Sequence, residues 1–203
     1  REGGYTHAIL CPSSLSGILP AVLAKLKTSG YNRLCAERFV PKKGAHRVEN
    51  YFELGSSFIG SNLKLQDCNQ FIPIHHKNDV AANEIIKDGI GSDYTVVCPY
   101  ATNLHKGKNK EWPHWKAFLQ TFEKANLVAL VAPEDEVRCR QDFPSTKVLS
   151  VNLAVTAAIM QKANCVLTND SGAMHLASFF GAKGVGLFGV TDTSVLIAVI
   201  VYA

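Results

Sequence analysis

The sequence predicts an α/β protein with parallel sheets covered by helices on both faces, and three observations carry that expectation. From residue 94 onward, short apolar runs alternate with helix-like segments. The connections between them are short, which suits crossover units in a parallel sheet. Apolar residues make up 47% of the chain, enough for a substantial core and too many for disorder. With 203 residues, the chain is long for one domain and short for two. The expected division is an N-terminal domain over 1–78, a linker over 79–93 and a C-terminal domain over 94–203.

In order along the chain, Tyr5 to Cys11 reads as a strand ended by Pro12. Ser13 and Ser14 open an apolar-periodic helix from Leu15 to Leu26, with Pro20 as a kink and Gly30 closing the segment. Residues 31–45 are basic and loop-like. Val48, Tyr51, Phe52 and Leu54 have helical spacing, so 46–59 is expected to be a helix. Phe71 to Ile74 suits a short strand or extended linker, and 79–88 a small helix ended by Gly89 and Gly91. The regular part follows. Strands are expected at Tyr94–Cys98, Leu127–Ala132, Lys147–Val151, Cys165–Thr168 and Gly184–Phe188. Helices are expected at Trp112–Lys124, with Pro113 in the first turn, then at Glu134–Gln141, Leu153–Lys162 and Gly172–Phe180.

Charge and cysteine usage narrow the function. A net charge of +4, from 21 basic and 17 acidic residues, fits an anionic small substrate or membrane surface. No basic run resembles a nucleic-acid-binding arm, so no nucleic acid is expected as a partner. Cysteines lie at 11, 35, 68, 98, 139 and 165 with no C-x-x-C pair, so neither a zinc site nor another metal site is expected. Buried free thiols in a reducing compartment such as the bacterial cytoplasm are the expectation. No signal-peptide pattern follows Arg1, and the apolar run Val195 to Ala203 is too short to span a bilayer.

In a parallel sheet, ligands bind beyond the C-terminal strand ends, so the polar residues after each strand are the candidates for chemistry. Four segments stand out. Pro99-Tyr100-Ala101-Thr102-Asn103 leads into a cationic stretch with His105, Lys106, Lys108 and Lys110, just before Glu111-Trp112-Pro113. A diphosphate needs such compensation, although a lysine-rich loop alone is more often solvated surface. Ala132-Pro133-Glu134-Asp135-Glu136 puts carboxylates at a strand end, where they can accept from a ribose diol or simply favour a helix dipole. Thr168-Asn169-Asp170-Ser171-Gly172-Ala173-Met174-His175 places a polar turn at a strand-to-helix junction. The free N–H groups and partial positive charge there suit a phosphate. Asp170 is also a ready N-cap, which accounts for it without any ligand; His175 is less well covered by that reading. The fourth segment is the turn Gly189-Val190-Thr191-Asp192.

Together these segments resemble glycosyltransferase family 9, the bacterial lipopolysaccharide heptosyltransferases. The resemblance rests on Cys98-Pro99-Tyr100-Ala101-Thr102, on Lys110-Glu111-Trp112-Pro113 and on Ala132 to Glu136. It rests further on the pattern Asp-(Ser/Thr)-Gly-x-x-His at Asp170, Ser171, Gly172 and His175, and on Gly189 to Asp192. Gly30-Tyr31 and His46 to Tyr51 also look like family segments, so the resemblance covers nearly the whole chain. It implies a GT-B architecture of two Rossmann-like domains, the first incomplete here. It implies an inverting transfer of heptose from ADP-heptose, or a related nucleotide sugar, to a lipopolysaccharide core acceptor, with no cofactor. The location it implies is cytoplasmic, with peripheral contact at the inner face of the inner membrane.

Carried over by position, Thr102 and Lys110 would hold the donor phosphates, and Asp135 or Glu136 the ribose. Asp170, Ser171, Gly172 and His175 would line the phosphate and sugar pocket. The chain starts after the family's N-terminal strand and glycine-aspartate loop, so the Asp expected as catalytic base is absent. Val190 replaces a usual proline, and Val195 to Ala203 does not match the family. A fragment lacking both ends of the family pattern is the expectation, one that is not expected to turn over by itself. Two other readings stay open: a non-catalytic or decayed nucleotide-sugar-binding module, and another GT-B enzyme such as a sugar-nucleotide epimerase.

Overall fold

The computed structural model describes residues 4–67, 71–102, 107–122 and 125–188. The chain divides into two compact units, Arg1–Cys68 and Asn69–Ala203.

The first unit holds a three-stranded parallel sheet in the order β1-β2-β3, made by His7–Leu10, Lys27–Gly30 and Glu37–Arg38. Helix α1 spans Leu15–Leu23, and its N-cap Ser14 accepts a hydrogen bond from the Gly17 N–H. The helix was expected to continue to Leu26 and its segment to Gly30. It stops at Leu23 instead, because Lys25 adopts a left-handed φ of 54°, and the next residues pair with β1. Strand β2, Lys-Thr-Ser-Gly, carries no apolar pattern. Its buried hydroxyls are satisfied by the fold: Thr28 Oγ1 accepts from the Ala36 N–H at 3.1 Å, and Ser29 Oγ donates to Glu37 Oε2 at 2.8 Å. Gly30 is needed there, since a Cβ would lie 2.2 Å from the Leu10 carbonyl oxygen. Helix α2 spans Arg47–Ile59 and ends at Gly60, in the left-handed conformation that glycine adopts without cost.

The second unit is a five-stranded, all-parallel sheet. Its strands are β4 (Thr95–Cys98), β5 (Leu127–Leu130), β6 (Lys147–Leu149), β7 (Cys165–Asn169) and β8 (Gly184–Leu187), in the order β6-β5-β4-β7-β8. Its helices are α3 (His76–Ile85), α4 (Trp115–Gln120), α5 (Glu136–Asp142), α6 (Leu153–Lys162) and α7 (Gly172–Phe179). Successive residues of one strand feed opposite cores. Val96 and Cys98 pack with Val128, Leu130 and Val166 against Ala82 of α3, Ile159 of α6 and Met174 of α7. Val97 and Ala129 pack against Trp115 and Leu119 of α4 and Cys139 of α5. The two-sided burial explains why these strands read as continuous apolar runs. Each fully buried large side chain contributes about 1.5–3 kcal/mol.

Helix α3 docks on α6 through an Asp79–Lys162 ion pair of 2.8 Å, and a π-helical turn, Ile86–Ile90, continues it. Ahead of it, the Ile72 N–H donates to the Phe179 carbonyl at the end of α7. The 203-residue chain thus meets the expectation of parallel sheets with helices on both faces, with strands and helices in the anticipated order from β4 onward. Three starts differ: strand β4 begins at Thr95 rather than Tyr94, helix α5 at Glu136 rather than Glu134 after a 3-10 turn, and α4 is displaced most. Helix α4 begins at Trp115 rather than Trp112, and Pro113 lies outside it, because the Trp112 N–H is committed to Asn169 Oδ1.

The strand order makes a switch point. The chain runs outward from β4 to β5 and β6, then returns to place β7 on the other side of β4. Loops leaving β4 and β7 therefore diverge and leave a crevice at the C-terminal ends of these two strands.

Candidate functional site

Asn169, the last residue of β7, ties the crevice together and is fully buried. Its Oδ1 accepts from the Trp112 N–H and from Trp115 Nε1, each at 2.9 Å, and its Nδ2 donates to the Pro99 carbonyl at 2.6 Å. One side chain thus joins the ends of β4 and β7 to the start of α4. Both its amide oxygen and its amide nitrogen have partners, as burial requires.

The next residue, Asp170, does not cap α7. The cap position belongs to Ser171, whose side chain makes no capping hydrogen bond. Asp170 instead forms an ion pair with Lys110, Nζ to Oδ2 at 2.8 Å. The two side chains are only 15% and 4% exposed, so this pair lies in the crevice wall rather than on the surface. Beyond it, α7 begins at Gly172, and the first N–H groups of a helix lack intrahelical acceptors. Thr168 Oγ1 donates to the Asn169 carbonyl at 3.0 Å and lies 3.4 Å from Ser171 Oγ.

A cavity of about 200 Å³ opens beside this helix start. Thr102, Asp135, Ser171, Gly172 and Ala173 line it, over a floor from Cys98 and Leu130. A Cβ on Gly172 would meet nothing within 4 Å, so the space there is open. Burial pushes the Asp135 carboxyl above the usual aspartate range, with Glu134 and Glu111 adding to the rise and Arg138 opposing it. A second cavity, about 620 Å³, lies between α4 and α5 and is bordered by Lys110, Trp112, Trp115 and Arg138. Most of its charged groups are paired with one another, Glu111 with Arg138, and Asp142 with Lys116 and Arg138, while Lys110 pairs with Asp170. The smaller cavity, with a helix start and a carboxylate facing it, is the better ligand site.

The structure brings Thr102, Asp135, Ser171 and Gly172 to one cavity, with the Lys110–Asp170 pair adjoining Ser171. Glu136 turns to Arg140 on its own helix, at 2.6 Å, and does not line the cavity. His175 is exposed and does not line it either. Lys108 is exposed, while Asn103, His105, Lys106, the turn 189–192 and the tail 193–203 lie outside the described residues.

A family model described as glycosyltransferase family 9 (heptosyltransferase) matches residues 1–199. The chain belongs to glycosyltransferase family 9. Among solved structures, a glycosyltransferase family 9 protein from Veillonella parvula superposes with a TM-score of 0.75 at 18% identity, over 96% of this chain and 61% of that one. The ADP-heptose lipopolysaccharide heptosyltransferase II of E. coli superposes with a TM-score of 0.70 at 20% identity, over 96% and 66%. The E. coli heptosyltransferase WaaC with ADP gives 0.69 at 19% identity, over 96% and 63%. At these identities the likeness establishes the shared GT-B fold, and the chain spans under two thirds of each of these proteins. No curated protein matches. Among the described residues, no helix is long and apolar enough to cross a membrane.

Three residues that organise this candidate site were given no role of their own by the sequence: Asn169 and Glu111, present only within quoted motifs, and Arg138. Arg138 Nη1 and Nη2 donate to Glu111 Oε1 and Oε2 at 3.0 and 2.8 Å, in the two-pronged geometry that guanidinium and carboxylate favour. Burial alone would raise the Glu111 carboxyl. The hydrogen bonds from Arg138 and from the Ala101 N–H outweigh it and hold the group below the usual glutamate range. A polar residue ending a buried apolar strand was the available signal for Asn169, since it must find partners. Nothing in the sequence pairs residue 111 with residue 138.

Proposed function

We propose that this chain forms the donor-binding part of an inverting glycosyltransferase that uses ADP-heptose, or a closely related nucleotide sugar, to extend a lipopolysaccharide core. The observation that carries the reading is the convergence of Asp135, Thr102 and the Ser171–Gly172 helix start on one cavity at the switch point, with Lys110 held beside it. In this reading the Asp135 carboxylate accepts from the ribose hydroxyls and the N–H groups at Gly172 and Ala173 face the diphosphate. Lys110 supplies the nearby cation. During transfer, an acceptor hydroxyl gives its proton to a general base and its oxygen bonds to the anomeric carbon, while the bond from that carbon to the phosphate oxygen breaks. The electron pair leaves on the diphosphate. Charge therefore grows where the helix start and Lys110 lie, and stabilising it there lowers the barrier. The ADP and ADP-heptose in the names of the family 9 relatives support this choice of nucleotide. A cytoplasmic enzyme reaching its acceptor at the inner face of the inner membrane fits the reading.

Isothermal titration calorimetry with ADP and UDP tests it. ADP is expected to bind the folded chain more tightly than UDP. Asp135→Asn is expected to weaken ADP about tenfold, or ~1.4 kcal/mol, the scale of one charge-assisted hydrogen bond. Tighter binding of UDP would point to another GT-B enzyme, such as an epimerase. A folded chain that binds neither would overturn the assignment.

A further inference from the structure

Lys110 and Glu111 are neighbours in sequence, yet their side chains go to opposite partners: Lys110 to Asp170, and Glu111 to Arg138. Arg138 is itself fixed from three sides. Its guanidinium lies 4.1 Å from the centre of the Tyr100 ring, its two terminal nitrogens hold Glu111, and its Nε lies 3.4 Å from Asp142 Oδ2. Asp142 in turn accepts from the Tyr100 hydroxyl at 3.0 Å and pairs with Lys116 at 2.8 Å. Glu111 Oε1 also takes a hydrogen bond from the Ala101 N–H, at 3.4 Å. Arg138 therefore joins the loop after β4, the segment carrying Lys110, and helix α5, which follows directly from Asp135. Thr102 of the first piece and Asp135, just ahead of α5, line the ligand cavity, and Lys110 pairs with Asp170, the neighbour of the lining residue Ser171.

We propose that Arg138 is a positioning residue for nucleotide binding, acting through its fork on Glu111 to hold Lys110 at the Asp170 end of the crevice. It touches no ligand itself. A long lysine has rotamer freedom to lose, and anchoring the adjacent residue removes part of that cost before the anion arrives. A flexible point charge becomes a fixed one. The guanidinium suits this role because its planar fork matches the carboxylate while its face stacks on Tyr100; a lysine at 138 could do neither fully.

The inference rests on the nucleotide-binding reading, and the experiment separates the two. Arg138→Met, Arg138→Lys, Glu111→Gln and the double variant Glu111→Gln/Arg138→Met are compared with wild type by ADP titration, thermal melting and amide hydrogen exchange. Arg138→Met is expected to weaken ADP about tenfold, with Arg138→Lys in between and the double variant no weaker than the worse single, because the two residues act as one unit. Arg140→Met removes another ion pair of the same helix, two residues further along, and is expected to leave ADP binding unchanged. In the nucleotide-free protein, exchange at the Glu111 and Trp112 amides is expected to rise at least tenfold in Arg138→Met, while the core strand β4 stays protected. Wild-type-like ADP affinity in Arg138→Met, or additive losses in the double variant, would overturn the proposal. Unchanged exchange over 107–113 would overturn it even if wild type bound no ADP. Raised exchange without any ADP binding would leave the brace standing and sink the nucleotide reading instead.

Discussion

Asn169 concentrates more of the site's stability than any residue the sequence singled out. Replacing it with Ala would leave the Trp112 N–H, Trp115 Nε1–H and Pro99 carbonyl without their partner in a fully buried position. Each unsatisfied buried group costs about 1–3 kcal/mol. Asn169→Ala is expected to lower the unfolding free energy by ~3 kcal/mol or more, read from urea denaturation; a loss under ~1 kcal/mol would show that the crevice relaxes around the gap. The adjacent Asp170 teaches a different point. Its residue type and position announced a helix cap, and a short polar side chain before a helix does usually serve that way. The tertiary contact with Lys110, sixty positions away, took the carboxylate instead.

At the scale of elements, the segment from Asn109 to Pro113 is held by charge rather than by regular structure. Glu111 and Asp142 both sit below their usual carboxyl ranges. For Asp142, the Lys116 hydrogen bond is the largest cause, aided by the Tyr100 hydroxyl. A depressed folded-state value means that the stabilisation is fully present above the ordinary carboxylate range and is lost as pH falls through the folded values. Asp135, raised by burial, runs the other way: its protonation on acidification relieves a cost to the folded state. Glu111 and Asp142 share one network through Arg138, and acid removes the contribution of both. Lowering the pH from 5 to 3 is therefore expected to depress the melting temperature. Glu111→Gln, which lacks one of the two titrating groups, should show a shallower fall, and identical slopes would exclude Glu111 as a source of acid sensitivity. Helices α6 and α7 and strands β4 to β8 were legible because each is a largely apolar run between clear turn signals, and α5 because acidic residues follow Pro133 at its start. Strand β2 was not, since its polar residues earn their place through hydrogen bonds to residues 36 and 37 that no periodicity encodes.

For the molecule as a whole, both core clusters around the five-stranded sheet draw only on residues from Ile74 onward. Residues 69–203 are thus expected to fold without 1–68, giving a cooperative melt by circular dichroism. A non-cooperative, molten profile would show that the second unit depends on the first. By itself, the amino-acid sequence determined the α/β class, the order of elements in the second unit, the family, and the short list of polar residues at strand ends. These follow from local signals: the two-sided burial of parallel strands, turn residues, and a motif confined to a few consecutive positions. Only the tertiary structure decided between Asp135 and Glu136 as the residue facing the cavity, sent Asp170 to Lys110, and joined Glu111 to Arg138. Those outcomes depend on which strand ends the sheet order brings together. Glu111 meets Arg138 because β5 lies beside β4, and Lys110 meets Asp170 only once β7 has returned to the other side of β4.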